Sequence, residues 1–186
     1  MTLEEVTNTV LEALERQNIP YMIVGALASN LHGVSRATFD ADIVIDCDEV
    51  SLNRFMDSLQ DNFYADKGMA FDALKAKFIF NVIHSKEALK IDLIIKKSLP
   101  FDNEQFKRRV LVSFANRMRW VATDEDVILN KLHWCKMSES ERRFNDAVNV
   151  ASVQKKHLDR EYLIKWGKEL DVQDLLFKLF EHIDAH

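Results

Sequence analysis

The chain has 186 residues, 47% hydrophobic and 30% charged, with only four Gly and two Pro, which excludes a disordered or low-complexity chain and leaves room for one sizeable domain or a core with a helical appendage. A formal net charge of -5 excludes nonspecific adhesion to nucleic acid over the whole surface. Two distant cysteines, Cys47 and Cys135, without a CxxC or Cys/His cluster, support neither a disulfide framework nor a structural zinc site and fit a reducing cytoplasm.

In chain order, Thr2 stands three residues before Glu5, the spacing of a capping box, and Val6, Val10, Leu11 and Leu14 follow at helical intervals. This predicts an amphipathic helix ending near Asn18. The acidic N-terminal stretch does not look like a basic leader, and no later run has the length of a membrane span, so no membrane partner and a cytoplasmic protein are expected. "YMIV" (Tyr21 to Val24) is a strand stopped by Gly25, and "ALASNLH" a short helix closed by Gly33. Ala41 to Ile45 is the next strand. "DEVSLNRFMDSLQDN" supplies a helix with Val50, Phe55 and Leu59 on one side, and the stretch from Ala65 to Leu74 has no decisive pattern. "KFIFNVIH" (Lys77 to His84) and "LKIDLIIK" (Leu89 to Lys96) read as an antiparallel strand pair. A helical turn is expected before Val110, with strand character at Val110 to Phe114 and Met118 to Val121. From Thr123 the pattern is helical: a Thr-capped acidic start, a second helix over "SESERRFNDAVNVASVQ", then one or two more. The fold class expected is α+β, a mixed sheet flanked by helices, with a core over 1–122 and a C-terminal helical region over 123–186.

Three carboxylates stand out against this framework. Residues two apart on a strand share a face, so Asp40 and Asp42 project together at the mouth of an apolar strand. Asp92, between Ile91 and Leu93, is a lone carboxylate in a second apolar strand. Burying unpaired carboxylates is unfavourable, and if the two strands are neighbours, three carboxylates surround one point. Oxygen-only ligands of this kind suit a hard divalent cation, Mg²⁺ or Mn²⁺, with Asp40, Asp42 and Asp92 as its expected ligands. Gly25, after a strand and before a helix, lets backbone amides of the turn approach phosphate oxygens. Arg36 and Thr38 would add a charge-assisted bond and a hydroxyl bond to a triphosphate.

Val24-Gly25-Ala26, Asp40-Ala41-Asp42 and Ile91-Asp92-Leu93, in that order, resemble the nucleotidyltransferase superfamily of the DNA polymerase β type. Within it, "VGALASNLHGVSRATFDADIVI" is similar to AbiEii-type and related bacterial nucleotidyltransferase-like proteins, and "EDVILNKL" and "RRFNDAVNV" look like the Lys and Arg/Asp motifs of that group. The resemblance implies a nucleotidyltransferase-like mixed sheet with a C-terminal helical segment. It also implies transfer of a nucleoside monophosphate from a nucleoside triphosphate to an acceptor hydroxyl on a small molecule, protein or RNA. Carried over by position, Asp40 and Asp42 bind metal and Asp92 activates the hydroxyl, while Gly25, Ala26, Arg36, Thr38, Lys131 and Asp146 serve the nucleotide or support the site. Two departures stand against the pattern: Ala26 where relatives have Gly or Ser, and Asn149 where an acid often stands. They motivate an alternative, a catalytically inactive nucleotide-binding module of the same fold, or a partner module with a cognate antitoxin. A plain structural α/β domain is the third reading.

Other residues invite plainer readings. Lys96, Lys97, Lys107, Arg108 and Arg109 are either a solvated face or a seat for an anionic ligand. His32 is expected to cap or pack, Trp134 to be core, and Cys47 to be inert. A calcium loop from Asp40 to Glu49 fails because the required Gly is missing.

Overall fold

The computed structural model describes residues 1–34, 37–59, 61–138 and 140–185. Helix α1 (Leu3–Arg16) begins with the expected capping box: the Thr2 hydroxyl accepts from the Glu5 amide, and the Glu5 carboxylate accepts from the Thr2 amide. Its apolar stripe, Val6, Val10, Leu11 and Leu14, is fully buried. Strand β1 (Tyr21–Val24) leads at once into the short helix α2 (Gly25–Leu31). Strand β2 (Asp40–Ile45) alternates half-buried and buried residues, as a period-2 pattern dictates.

Helix α3 (Glu49–Ser58) is capped by Asp48 and buries Leu52, Phe55 and Met56. The expected face is corrected here. Val50 lies in the first turn and is exposed, because α3 turns its Leu52, Phe55 and Met56 side to the core instead. A two-residue strand β3 (Phe63–Tyr64) precedes the stretch without a decisive pattern, and most of that stretch falls within a helix α4 (Lys67–Ala76) capped by Asp66. Strands β4 (Ile79–His84) and β5 (Leu89–Ile95) pair antiparallel as expected.

The helical turn before Val110 is a full helix α5 (Pro100–Arg108), with Pro in its first turn. Strands β6 (Val110–Phe114) and β7 (Arg117–Val121) form a hairpin around Ala115 and Asn116. Both turn residues have positive φ, the signature of a type I′ turn. Helices α6 (Asp124–Ser138), α7 (Glu141–Gln154), α8 (Arg160–Glu169) and α9 (Gln173–Asp184) complete the chain. Among the described residues, no helix is long and apolar enough to cross a membrane.

The strands form one seven-stranded mixed sheet in the order β3-β4-β5-β2-β1-β7-β6. At its centre β2 runs parallel to β5 and antiparallel to β1. One face carries Ala41, Ile43, Ile45, Ile91, Leu93 and Ile95, all buried, with α1 packed against β2 and β5. The other face carries the polar residues of β2 and β5, and there α2 and α6 pack together. A single core cluster runs from Val6 through the sheet to Leu176 and Ile183, so the C-terminal helices share the core of the sheet.

A buried polar clasp sets the position of α6. The Asp126 carboxylate, fully buried, accepts from the Tyr162 hydroxyl at 2.6 Å and the Thr123 hydroxyl at 2.9 Å. Arg108 lies 3.5 Å above the Tyr162 ring and donates to Glu125, whose other oxygen accepts from the Asp159 amide. Burial pushes Asp126 up to about 6 against the pull of the two hydroxyls and Arg108. The clasp joins α5, α6 and α8, and α6 carries Lys131 toward α2.

Candidate active site

Parity and register build the site. Asp40 and Asp42 share a face of β2, and the parallel pairing sets Asp42 beside Asp92 and Asp40 beside Lys90. On the far side of β5, antiparallel pairing sets Asn81 beside Asp92. Three carboxylates, a lysine and an asparagine from three adjacent strands therefore lie on one surface.

Each acid is held differently. The Asp40 carboxylate accepts from the Thr38 hydroxyl at 2.8 Å, so that hydroxyl is engaged within the site. Asp92 accepts from the Asn81 amide through one oxygen and from the Lys90 ammonium, at 2.9 Å, through the other. Asp42 lies against Gly25. A methyl group built on Gly25 would stand 2.1 Å from an Asp42 carboxylate oxygen, and Gly25 has φ of +66°, the left-handed region. The turn thus requires glycine twice over, for backbone conformation and for the space that Asp42 occupies. Gly25→Ala is expected to displace the Asp42 carboxylate and lower stability by roughly 2 kcal/mol, read as a shifted denaturation midpoint. An unchanged midpoint would mean that the turn relaxes freely.

Burial, then the nearby charges of Asp40 and Asp92, push Asp42 up to about 6, while Lys90 and Lys131 pull it down. This surplus of negative charge and the all-oxygen donor set suit a hard divalent cation. The carboxylates do not stand as a finished cage. Among the described residues no three His, Cys, Asp or Glu side chains are arranged to hold a metal ion, and Asp92 has turned to Asn81 and Lys90.

The nucleotide-binding expectations meet in part. Ala26, Lys131 and Asp146 line one small cleft between α2, α6 and α7, together with Ser29, Asn30 and Val34. Lys131 and Asp146 form a largely buried ion pair at 3.7 Å. Arg36 lies outside the described residues. Asn149 is exposed on α7.

Sequence reasoning passed over Asn81 and Lys90. Both had a signal: Lys90 is two residues before Asp92, hence on its face, and Asn81 is the polar interruption of the strand paired with Asp92. His32 packs as expected, bridging the Ala122 carbonyl and the Asp124 carboxylate. Cys47 is a free thiol that burial pushes up to about 11, which keeps it protonated at neutral pH. Trp134 is a correction: it is half exposed beneath the Arg143 guanidinium instead of in the core, because α6 turns Leu132 and Cys135 inward. Three of the five basic residues have partners within the fold: Arg108 serves the α5–α8 clasp, Arg109 lies over Phe106 and Trp120, and Lys96 bonds Asn103.

The chain has a nucleotidyltransferase-like fold. It resembles the crystal structure of an antigenic nucleotidyltransferase-like protein from Paracoccidioides brasiliensis, at 17% identity and a TM-score of 0.69 over 98% of this chain and 89% of that one. It also resembles ANT(2")-Ia in complex with adenylyl-2"-tobramycin, at 12% identity and a TM-score of 0.58 over 98% of this chain and 99% of that one. The solution structure of the antibiotic-resistance factor ANT(2'')-Ia gives 10% identity and a TM-score of 0.56 over 98% and 95% of the two chains. No family model and no curated protein matches the sequence.

Proposed function

We propose that the protein transfers a nucleoside monophosphate from a nucleoside triphosphate to an acceptor hydroxyl. The observation that carries this reading is the register of β2 and β5, which sets Asp42 beside Asp92 on the face where Gly25 turns into α2. The shared fold with a protein whose structure holds adenylyl-2"-tobramycin, an adenylylated small molecule, supports the same chemistry.

In this reading Asp40 and Asp42 would hold Mg²⁺ or Mn²⁺, while Asp92 stays beside them on Asn81 and Lys90. When bound, such an ion offsets charge on the attacking oxygen and on the departing pyrophosphate. Asp92 accepts the proton of the acceptor hydroxyl as that oxygen attacks the α-phosphorus and the bond to pyrophosphate breaks. Thr38 and Asn81 hold Asp40 and Asp92 in place, so little reorganisation is needed when charge develops. Gly25 and Ala26 would take the triphosphate at the turn, with Arg36 assigned to it by sequence position alone, and Lys131, oriented by Asp146, would offer it positive charge.

Calorimetric titration with each of the four ribonucleoside triphosphates and Mg²⁺ is the test. Binding of at least one, lost in Asp40→Ala, is expected, together with release of pyrophosphate when a suitable hydroxyl is supplied. Silence with all four, and no metal-dependent pyrophosphate release, sinks the proposal.

A second reading, a quiet nucleotide-binding module working with a protein partner such as a cognate antitoxin, is favoured by the engagement of both Asp92 oxygens and by Ala26 in the turn. Nucleotide binding without label transfer from an α-labelled triphosphate to any acceptor would select it.

A further inference from the structure

Lys90 is the charged side chain on the site face that the proposed chemistry leaves without a task. Strand parity places it on the face of Asp92, and the parallel register places it beside Asp40. Its ammonium donates to one Asp92 oxygen at 2.9 Å, while Asn81 takes the other, so a cation already sits where a metal ion on Asp92 would have to bind. Asp92 is 15% exposed and Lys90 43%, so the carboxylate is recessed and the ammonium reaches it from the solvent side. The set of three acids and one lysine has a net charge of about -2 with every member ionised, which one divalent cation neutralises and a second would overturn.

Resting on the metal-binding reading above, we propose that Lys90 is the resident counter-cation of this site, standing at Asp92 in place of a second divalent ion, so that the protein takes a single such ion at Asp40 and Asp42. A compact ammonium is suited to this because it brings one full charge and three donors without demanding a coordination geometry. Lys90 is then a positioning residue: it holds Asp92 turned away from the metal and limits how many ions enter.

The test is a titration of the full chain with Mn²⁺ alone, with free Mn²⁺ read by electron paramagnetic resonance. Wild type is expected to take one ion. Lys90→Met is expected to take a second, or to bind the first at least about tenfold more tightly, because a positive charge a few ångströms away is gone. Lys90→Arg keeps the charge and is expected to behave as wild type, and Lys90→Met combined with Asp92→Asn is expected to return to one ion. Lys90→Met with wild-type stoichiometry and affinity overturns the inference, as does a wild type that takes two ions. If wild type binds neither Mn²⁺ nor any nucleotide, the nucleotidyl-transfer reading falls with it. If wild type binds both and Lys90→Met does not differ, the assignment of Lys90 alone is lost.

Discussion

Asp42→Asn is expected to stabilise the free protein and abolish transfer. Burial, Asp40 and Asp92 together lift the Asp42 carboxyl from 3.8 to about 6, so the folded chain holds that proton more tightly than the unfolded one. The sign follows. Below the unfolded value the group carries no penalty; stability is lost as pH rises from 3.8 to about 6 and stays lost above. At neutral pH the penalty is on the order of 2–3 kcal/mol, which an uncharged isostere removes. Thermal melts should show the variant roughly 4–10 °C above wild type near neutral pH and equal to it near pH 3. Adding Mn²⁺ should raise the melting temperature of wild type and leave the variant where it was. The proposed transfer should fall by at least about 10²-fold, since the lost charge is one of the two proposed to hold the metal ion. Equal melting temperatures at neutral pH would show that the carboxylate is not strained, and the electrostatic case for a cation here would go with it.

Arg119→Ala is expected to have the largest effect on folding, with little effect on chemistry. Arg119 lies on β7 with only 1% of its surface exposed, on the face covered by α1 and opposite to the carboxylates. Its Nε donates to the Asn8 side chain at 2.8 Å, and its Nη1 donates at 2.6 Å to Glu15, which also accepts from the Tyr21 hydroxyl. Burial and Glu15 push the Tyr21 hydroxyl up to about 12. Removing the guanidinium empties a large buried volume and takes one hydrogen-bond partner from Asn8 and one from Glu15. Glu15 is partly exposed and can turn to water, so the loss falls at the lower end for a broken buried pair, about 3 kcal/mol. That corresponds to a melting temperature lowered by roughly 6–12 °C, and Arg119→Met should recover part of it by filling the space of the stem. A variant that melts like wild type would mean that the pair contributes nothing beyond what a void with water supplies.

Much of the fold was legible because its signals are local. The Thr2 cap, the alternation of "DADIVI" and the Gly after "YMIV" act within a few residues, and α1, β1 and β2 follow them. Where the local signal was thin, reading along the chain fell short. Phe63 and Tyr64 make a strand too short to show a period, and its edge position comes only from pairing with Ile83 and His84. In α4, Ala70 and Ala73 are buried but contribute little to any apolar stripe, so the helix hides in a mixed pattern. The exposure of Val50 and of Trp134 depends on which side of a helix meets the core, and each lies beside apolar residues that face inward in its stead.

What the amino-acid sequence determined by itself is which residues share a face and where elements begin and stop, since the two-residue period, the caps and the turn glycine are short-range physics. It placed Asp40 with Asp42 and marked Asp92 as a carboxylate with a purpose. Only the tertiary structure decided that Asp42 and Asp92 stand side by side, that Lys90 and Asn81 hold Asp92, and that Lys131 meets Asp146 beside Ala26. Those meetings join segments tens of residues apart, and they are selected when buried faces such as Ile43 and Leu93 are withdrawn from water together, a condition on the whole sheet that no short stretch of chain can express.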